Sequence, residues 1–196
     1  METRDHVVIV GKGCTAIELK RKDFPNSILV GVNQSPCLAE ELDYSFANDV
    51  EGLYGLTEEH MKNIKTLAIP EYPHYDGWSK KDVLYTKVTE TWGHVIKNFL
   101  IYNLWTTPKK NTSLPTLDWI MSTGDAPISY FAKYHNIKKF DLYGIGVGNG
   151  YHPKIKQILP KDHMRFANGW TAPRIKQLSS NIEKLKNLYN LQINIH

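Results

Sequence analysis

The chain has 196 residues, 41% hydrophobic and 22% charged, which suits one globular domain with a real core. Its formal net charge of +4 is a mild excess that fits an anionic ligand without specifying one. No apolar run approaches the roughly 20 residues of a membrane-spanning helix, and the opening METRDHVVIV lacks a signal-peptide layout, so a cytoplasmic protein with no membrane span is expected.

Val7–Val10 is a β-branched run closed by Gly11 and Gly13, which reads as a strand and a tight turn. Residues 15–22, TAIELKRK, follow as a short helix with Thr15 near its N-cap. At such a helix start Cys14 would be an activated thiol, or simply a residue small enough for the bend. Neither Cys14 nor Cys37 sits in a CxxC motif, so two reduced thiols and no metal site are expected. Ser27–Val32 reads as a second strand, Pro36–Leu42 as a helical turn and Tyr44–Ala47 as a third strand. Thr57 followed by Glu58 and Glu59 caps a helix reaching Lys62. Lys65–Ile69 is a fourth strand, stopped by Pro70.

Residues 70–118 change character, holding Tyr72, Tyr75, Trp78, Tyr85, Trp92, Phe99, Tyr102 and Trp105 with little alternation. They are expected to form an aromatic-rich insertion or lid, with Asp82–Val88 a strand and Val95–Leu104 a helix or strand. Gly124–Tyr134 then has helical spacing, with Ile128, Phe131 and Ala132 on one face. Phe140–Tyr143 is a strand, trailed by Gly144, Gly146, Gly148 and Gly150. Pro173 opens a last helix whose apolar positions are Ile175, Leu178, Ile182, Leu185 and Leu188, and Leu191–Ile195 closes the chain as a strand. The alternation predicts an α/β, Rossmann-like domain over 1–196, with a mainly parallel sheet and helices on both faces.

Ligands of open α/β sheets bind beyond the carboxyl ends of the strands. There the sequence places Gly11, Lys12, Gly13, Cys14 and Thr15, then Asn33 and Gln34, then Asn48 and Asp49. Ser122, Thr123 and Gly124 stand at a helix start, and Tyr151 and His152 follow the late glycines. Glycines let backbone N–H groups approach a phosphate, a helix N-terminus favours an anion, and the amides suit ribose or base. GKGCTA satisfies GxGxxA, but Asn33 stands where a dinucleotide site wants an acid, which disfavours NAD. The ATP-binding GxxxxGK[ST] is absent.

The segment VVIVGKGCTAIELKRKDFPNSILVGVNQ resembles the opening of small bacterial sialyltransferases, and DYSFAND resembles their third strand with its Asn. STGDAPISYFAKYHNIKKFDLYGIGVGNGYH and APRIKQLSSNIEKLKNLYNLQINI are similar to their later helix, strand and tail. The opening is similar also to archaeal-type hydroxymethylpterin diphosphokinases. The first resemblance implies that Gly11, Gly13, Asn33, Asn48, Ser122, Thr123 and Gly124 bind the CMP part of a nucleotide sugar without a metal. Lys12 stands where that family has Asn, and Cys14-Thr15 where it has Pro-Ser. The family's catalytic His falls near Gly169, leaving His152 and His163 as alternative bases, with Asp125 and Asp49 behind them.

The expected function is a nucleotide-sugar glycosyltransferase that needs no further cofactor, with Lys12, Tyr151 and the helix start at Ser122 stabilising the leaving phosphate. A diphosphokinase-like transferase would use ATP and Mg held by Asp49, Glu51 or Asp125. A non-catalytic nucleotide-binding protein is the third reading. A nucleic-acid acceptor finds support only in the charge and aromatics, since no binding motif accompanies them.

Overall fold

Along β1 (His6–Val10), successive side chains enter two different cores. Val7 and Ile9 pack on one side and Val8 and Val10 on the other, all at most 1% exposed. A strand covered on both faces is what a parallel sheet requires. The computed structural model describes residues 4–72, 84–104, 111–118, 122–145, 150–161 and 172–196.

Among them the strands are β1, β2 (Ile28–Val32), β3 (Leu42–Phe46), β4 (Ile64–Pro70), β5 (Asn98–Leu104), β6 (Thr116–Leu117), β7 (Lys139–Tyr143) and β8 (Gln192–Ile195). They form one eight-stranded, all-parallel sheet in the order β6-β5-β4-β3-β2-β1-β7-β8. The chain steps outward from β1 to β6, then returns to place β7 on the other side of β1. Neighbouring connections therefore diverge at β1 and β7, the switch point where a doubly wound fold opens a crevice. The architecture is the expected Rossmann-like α/β one.

The helices are α1 (Glu58–Lys62), α2 (Leu84–Trp92), α3 (Asp125–His135), α4 (Pro153–Ile158) and α5 (Ala172–Tyr189). Phe131 of α3 and Leu178, Ile182 and Leu185 of α5 cover Val7, Ile9, Phe140 and Leu142. Met61 of α1, Leu84 and Val88 of α2 and Ile155 of α4 cover Val8, Val10, Leu67 and Ile69 on the opposite face. Each such buried Leu, Ile or Phe contributes about 1.5–3 kcal/mol. α3 ends where Asn136 turns left-handed at φ +54 and its N–H reaches the Phe131 carbonyl.

Several expectations change. Residues 15–22 form no helix. The Ala16 N–H closes a turn on the Gly13 carbonyl, and Leu19 pairs with the Leu38–Glu40 stretch through Leu19 N to Leu38 O and Glu40 N to Leu19 O. A segment this short cannot sustain a helix by propensity alone, and pairing satisfies its backbone while burying Leu19 to 1% exposure. Only Arg21–Asp23 makes a 3-10 turn. Likewise Ser35–Leu38 is a 3-10 turn that stops before β3, which starts two residues earlier than read.

The described part of 70–118 supplies α2 and the sheet strands β5 and β6. Leu84–Val88 is helical, not the expected strand, because Leu84 and Val88 are buried four residues apart on one helix face. On α5, Leu188 is 54% exposed and leaves the buried stripe. Tyr75, Trp78, Trp105, Gly146, Gly148, His163 and Gly169 lie outside the described residues. No helix among the described residues is long and apolar enough to cross a membrane.

Candidate functional site at the carboxyl edge

The turn after β1 is joined to the segment after β7. Gly11 N donates to Tyr143 O at 2.8 Å and Gly13 N to Gly144 O at 2.9 Å. Thr15 Oγ1 accepts the Gly144 N–H, and Gly13 forms an antiparallel bridge with Tyr151. A Cβ on Gly11 or Gly13 would meet Gly144 O at 2.6 or 2.8 Å. The glycines are therefore needed for close backbone packing. Their N–H groups are already donated, and no helix stands behind them. The Gly11 and Gly13 amides, expected to face a phosphate, are bonded to the β7 side. Cys14 lies exposed at the turn.

What the turn does present is Lys12. Its Nζ lies 4.7 Å from the Tyr151 ring centroid, a cation–π contact. Tyr151 is itself 7% exposed. Burial pulls the Lys12 pKa from 10.5 down to about 8, and the charge of Asp49, across the strand ends, opposes that fall. Burial, reinforced by the charge of Asp49, likewise keeps the Tyr102 phenol well above its ordinary value. Lys12, Asp49, Tyr102 and Tyr151 thus form one neighbourhood, drawn from the ends of β1, β3 and β5 and from the entry to α4.

Asn33 follows β2 in the left-handed region, φ +57, with its N–H on Phe46 O. Its side chain faces Gly52, where a Cβ would lie 2.5 Å from Asn33 Oδ1. Gln34 is buried and donates Nε2 to Glu51 O at 2.6 Å. Asn48 is buried too, its Oδ1 accepting the Tyr102 hydroxyl at 2.5 Å. The Gln34 Oε1, the Asn48 Nδ2 and the Ser122 Oγ are buried and find no hydrogen-bond partner among the described residues. An unsatisfied buried group of this kind costs about 1–3 kcal/mol.

The start of α3 reaches the same edge through Ile145, which would touch a Cβ on Gly11 at 2.7 Å and on Gly124 at 3.2 Å. Asp125 is fully buried there and its Oδ2 accepts the Ser122 N–H at 3.2 Å. Asp125 N and Ala126 N turn back to Ser122 O and Thr123 O. The positive end of the helix thus holds the Asp125 carboxylate in its first turn, while Gly124, at the N-cap, offers no side-chain bond. Thr123 is 9% exposed beside it.

His152 joins Lys12 through its N–H on Lys12 O at 2.8 Å, and it caps α4. Its Nδ1 accepts the Lys154 N–H at 3.3 Å, which leaves Nε2 as the ring nitrogen open to a ligand. Among the described residues no three His, Cys, Asp or Glu side chains gather as ligands for a cation. Tyr102 and Ile145 were missed from sequence. The spacing of Leu100, Tyr102 and Leu104 on one face of β5 was the available signal for Tyr102.

The comparisons identify no family. No family model matches the chain, and neither does any curated protein or solved structure.

Proposed function

We propose that the chain binds a nucleotide across the carboxyl ends of β1, β2 and β3 and acts as a nucleotide-sugar-dependent glycosyltransferase. The observation that carries the reading is the half-buried Lys12 ammonium beside Asp49 at the switch point. A desolvated cation in a crevice attracts a phosphate, which would restore the charge that burial disfavours. In this reading Lys12 neutralises the leaving phosphate, and Nε2–H of His152 is a second donor near it. Asp49 takes the proton of the acceptor hydroxyl, and the Asn48 amide donates to the ligand. The carboxylate is better placed for the base role than the buried Asp125.

The test is a melting-temperature panel with CMP, UDP, GDP and their sugars, followed by a hydrolysis and transfer assay. A nucleotide that raises the melting temperature of the wild-type chain, with the shift lost in Lys12→Ala and sugar released over time, supports the reading. Binding without turnover would reduce it to nucleotide binding. AMP formation from ATP would replace it with phosphoryl transfer. No shift with any nucleotide would overturn it.

A further inference from the structure

Toward the opposite, amino edge of the sheet, the first residue of β1, the residue before β2 and the middle of β7 bring together His6, Ser27 and Asp141. Ser27 Oγ lies 2.9 Å from His6 Nδ1. His6 Nε2 lies 3.1 Å from Asp141 Oδ2. With the carboxylate accepting at Nε2–H, Nδ1 keeps its lone pair and the Ser27 hydroxyl donates to it. The other Asp141 oxygen accepts from Asn194 Nδ2 at 2.7 Å and faces His196 Nε2 at 3.5 Å, which fixes the carboxylate.

Ser27 is fixed as well. Its N–H donates to Phe24 O at 3.2 Å and its carbonyl accepts Arg21 Nη1 at 2.8 Å. The residue is 6% exposed, and it lines an open pocket of about 390 Å³ shared with His6, Asp141, Asn26, Lys139 and Asn194. Nothing at the carboxyl edge uses these groups. A hydroxyl on the free nitrogen of an imidazole, backed by an anchored carboxylate, is the arrangement that activates a serine nucleophile, and it is recognised by geometry and roles.

We propose that this pocket is a second reactive site, in which Ser27 Oγ attacks the acyl carbon of a small ester. The Oγ–C bond forms as the Oγ proton passes to His6 Nδ1. The ester C–O bond then breaks, and His6 returns that proton to the departing alcohol. Water attacks the acyl-serine in the second half, giving a carboxylic acid and restoring Ser27. Asp141 positions the ring, and Lys139, on the pocket wall and paired with Asp5 at 3.6 Å, is the cation that the lining offers the oxyanion.

The probe is a small fluorophosphonate, which phosphonylates an activated serine with loss of fluoride. Intact mass and peptide mapping of the wild-type chain should show one adduct, on Ser27. Para-nitrophenyl acetate should release nitrophenolate, and the adduct should block that release. Ser27→Ala should abolish both signals. His6→Gln should slow labelling by roughly 100-fold or more. Asp141→Asn should slow it, with Asp141→Glu restoring part of the rate. An unmodified Ser27 in wild-type protein with a native circular-dichroism spectrum, an adduct elsewhere, or a labelling rate indifferent to His6→Gln would overturn the proposal. The wild-type result decides even where a variant fails to fold.

Discussion

The N–H of Gly13 donates to the carbonyl oxygen of Gly144 at 2.9 Å, and a methyl group on Gly13 would lie 2.8 Å from that same oxygen. Two turns distant in sequence are thus packed backbone to backbone. Gly13→Ala should destabilise the fold by about 1–3 kcal/mol, the usual cost of forcing an extra carbon into a packed interior. Urea denaturation of the variant measures it. Stability equal to wild type would mean that the two turns separate easily.

Lys12 provides a pH test with a definite sign. Its pKa is about 8 in the folded chain against 10.5 for an ordinary lysine. Below 8 both folded and unfolded states carry the charge, and the folded state bears the desolvation cost. Between 8 and 10.5 the folded state loses its proton first, so stability rises with pH across that window. Lys12→Met should stabilise the protein at neutral pH by about 1–2 kcal/mol after discounting for partial exposure. The gain should fade by pH 10.5. Denaturation curves for both proteins across this range provide the check.

Asp43 should behave in the opposite direction. Burial raises its pKa, but the Leu29 N–H at 2.9 Å and the Arg21 guanidinium at 2.6 Å outweigh burial, aided by Lys65, and hold it below 3.8. Its contribution is therefore complete above 3.8 and is lost as pH falls through the lowered value. Asp43→Asn should cost about 2 kcal/mol at neutral pH. The difference from wild type should close as pH falls below 3.8, read from acid-unfolding midpoints.

Tyr102→Phe removes the donor to Asn48 Oδ1 inside a fully packed cluster. It should cost about 1–2 kcal/mol, mostly from leaving a buried acceptor unpaired. Asn48→Leu combined with Tyr102→Phe should be less damaging than the sum of the two, which a double-mutant cycle in urea would measure.

Asn33 separates backbone need from ligand contact. Its φ of +57 is permitted to Gly and strained for Val. Asn33→Gly should remain within about 1 kcal/mol of wild type, and Asn33→Val should fall further. If the amide also touches the proposed nucleotide, Asn33→Gly will fold yet lose the ligand-induced rise in melting temperature.

The parallel sheet was legible because strands covered on both faces read as short apolar runs, as Val7–Val10 does. β5 and β6 were less legible. Residues 98–104 begin with Asn98 and half-buried Phe99 at the edge of coverage, so their pattern is ragged. The helix expected at 15–22 failed because the Leu19 pairing with Leu38–Glu40 is tertiary and has no local signature. Asn33, Asn48 and Lys12 do stand at the strand ends, as their positions implied. That Asp125 would be sealed inside depended on three-dimensional packing, and that Gly11 and Gly13 would spend their amides on the β7 side depended on partners about 130 residues away. The amino-edge cluster was invisible for the same reason: His6, Ser27 and Asp141 are far apart in sequence and share no motif.

The clasp between the first turn and the β7 side also sets an order of assembly. β1 sits inside the sheet, yet one flank is completed only by β7, and the turn that carries Lys12 waits for Gly144 and Tyr151. During synthesis the first two-thirds of the chain can align β1 to β6, but its apolar strand β1 stays an open edge. Such sequence-distant pairing is slow, because the entropy of closing a long loop must be overcome before any contact forms. A ribosome-bound fragment ending before β7 should therefore be a sticky intermediate, and the carboxyl-edge crevice should be among the last features to acquire its shape.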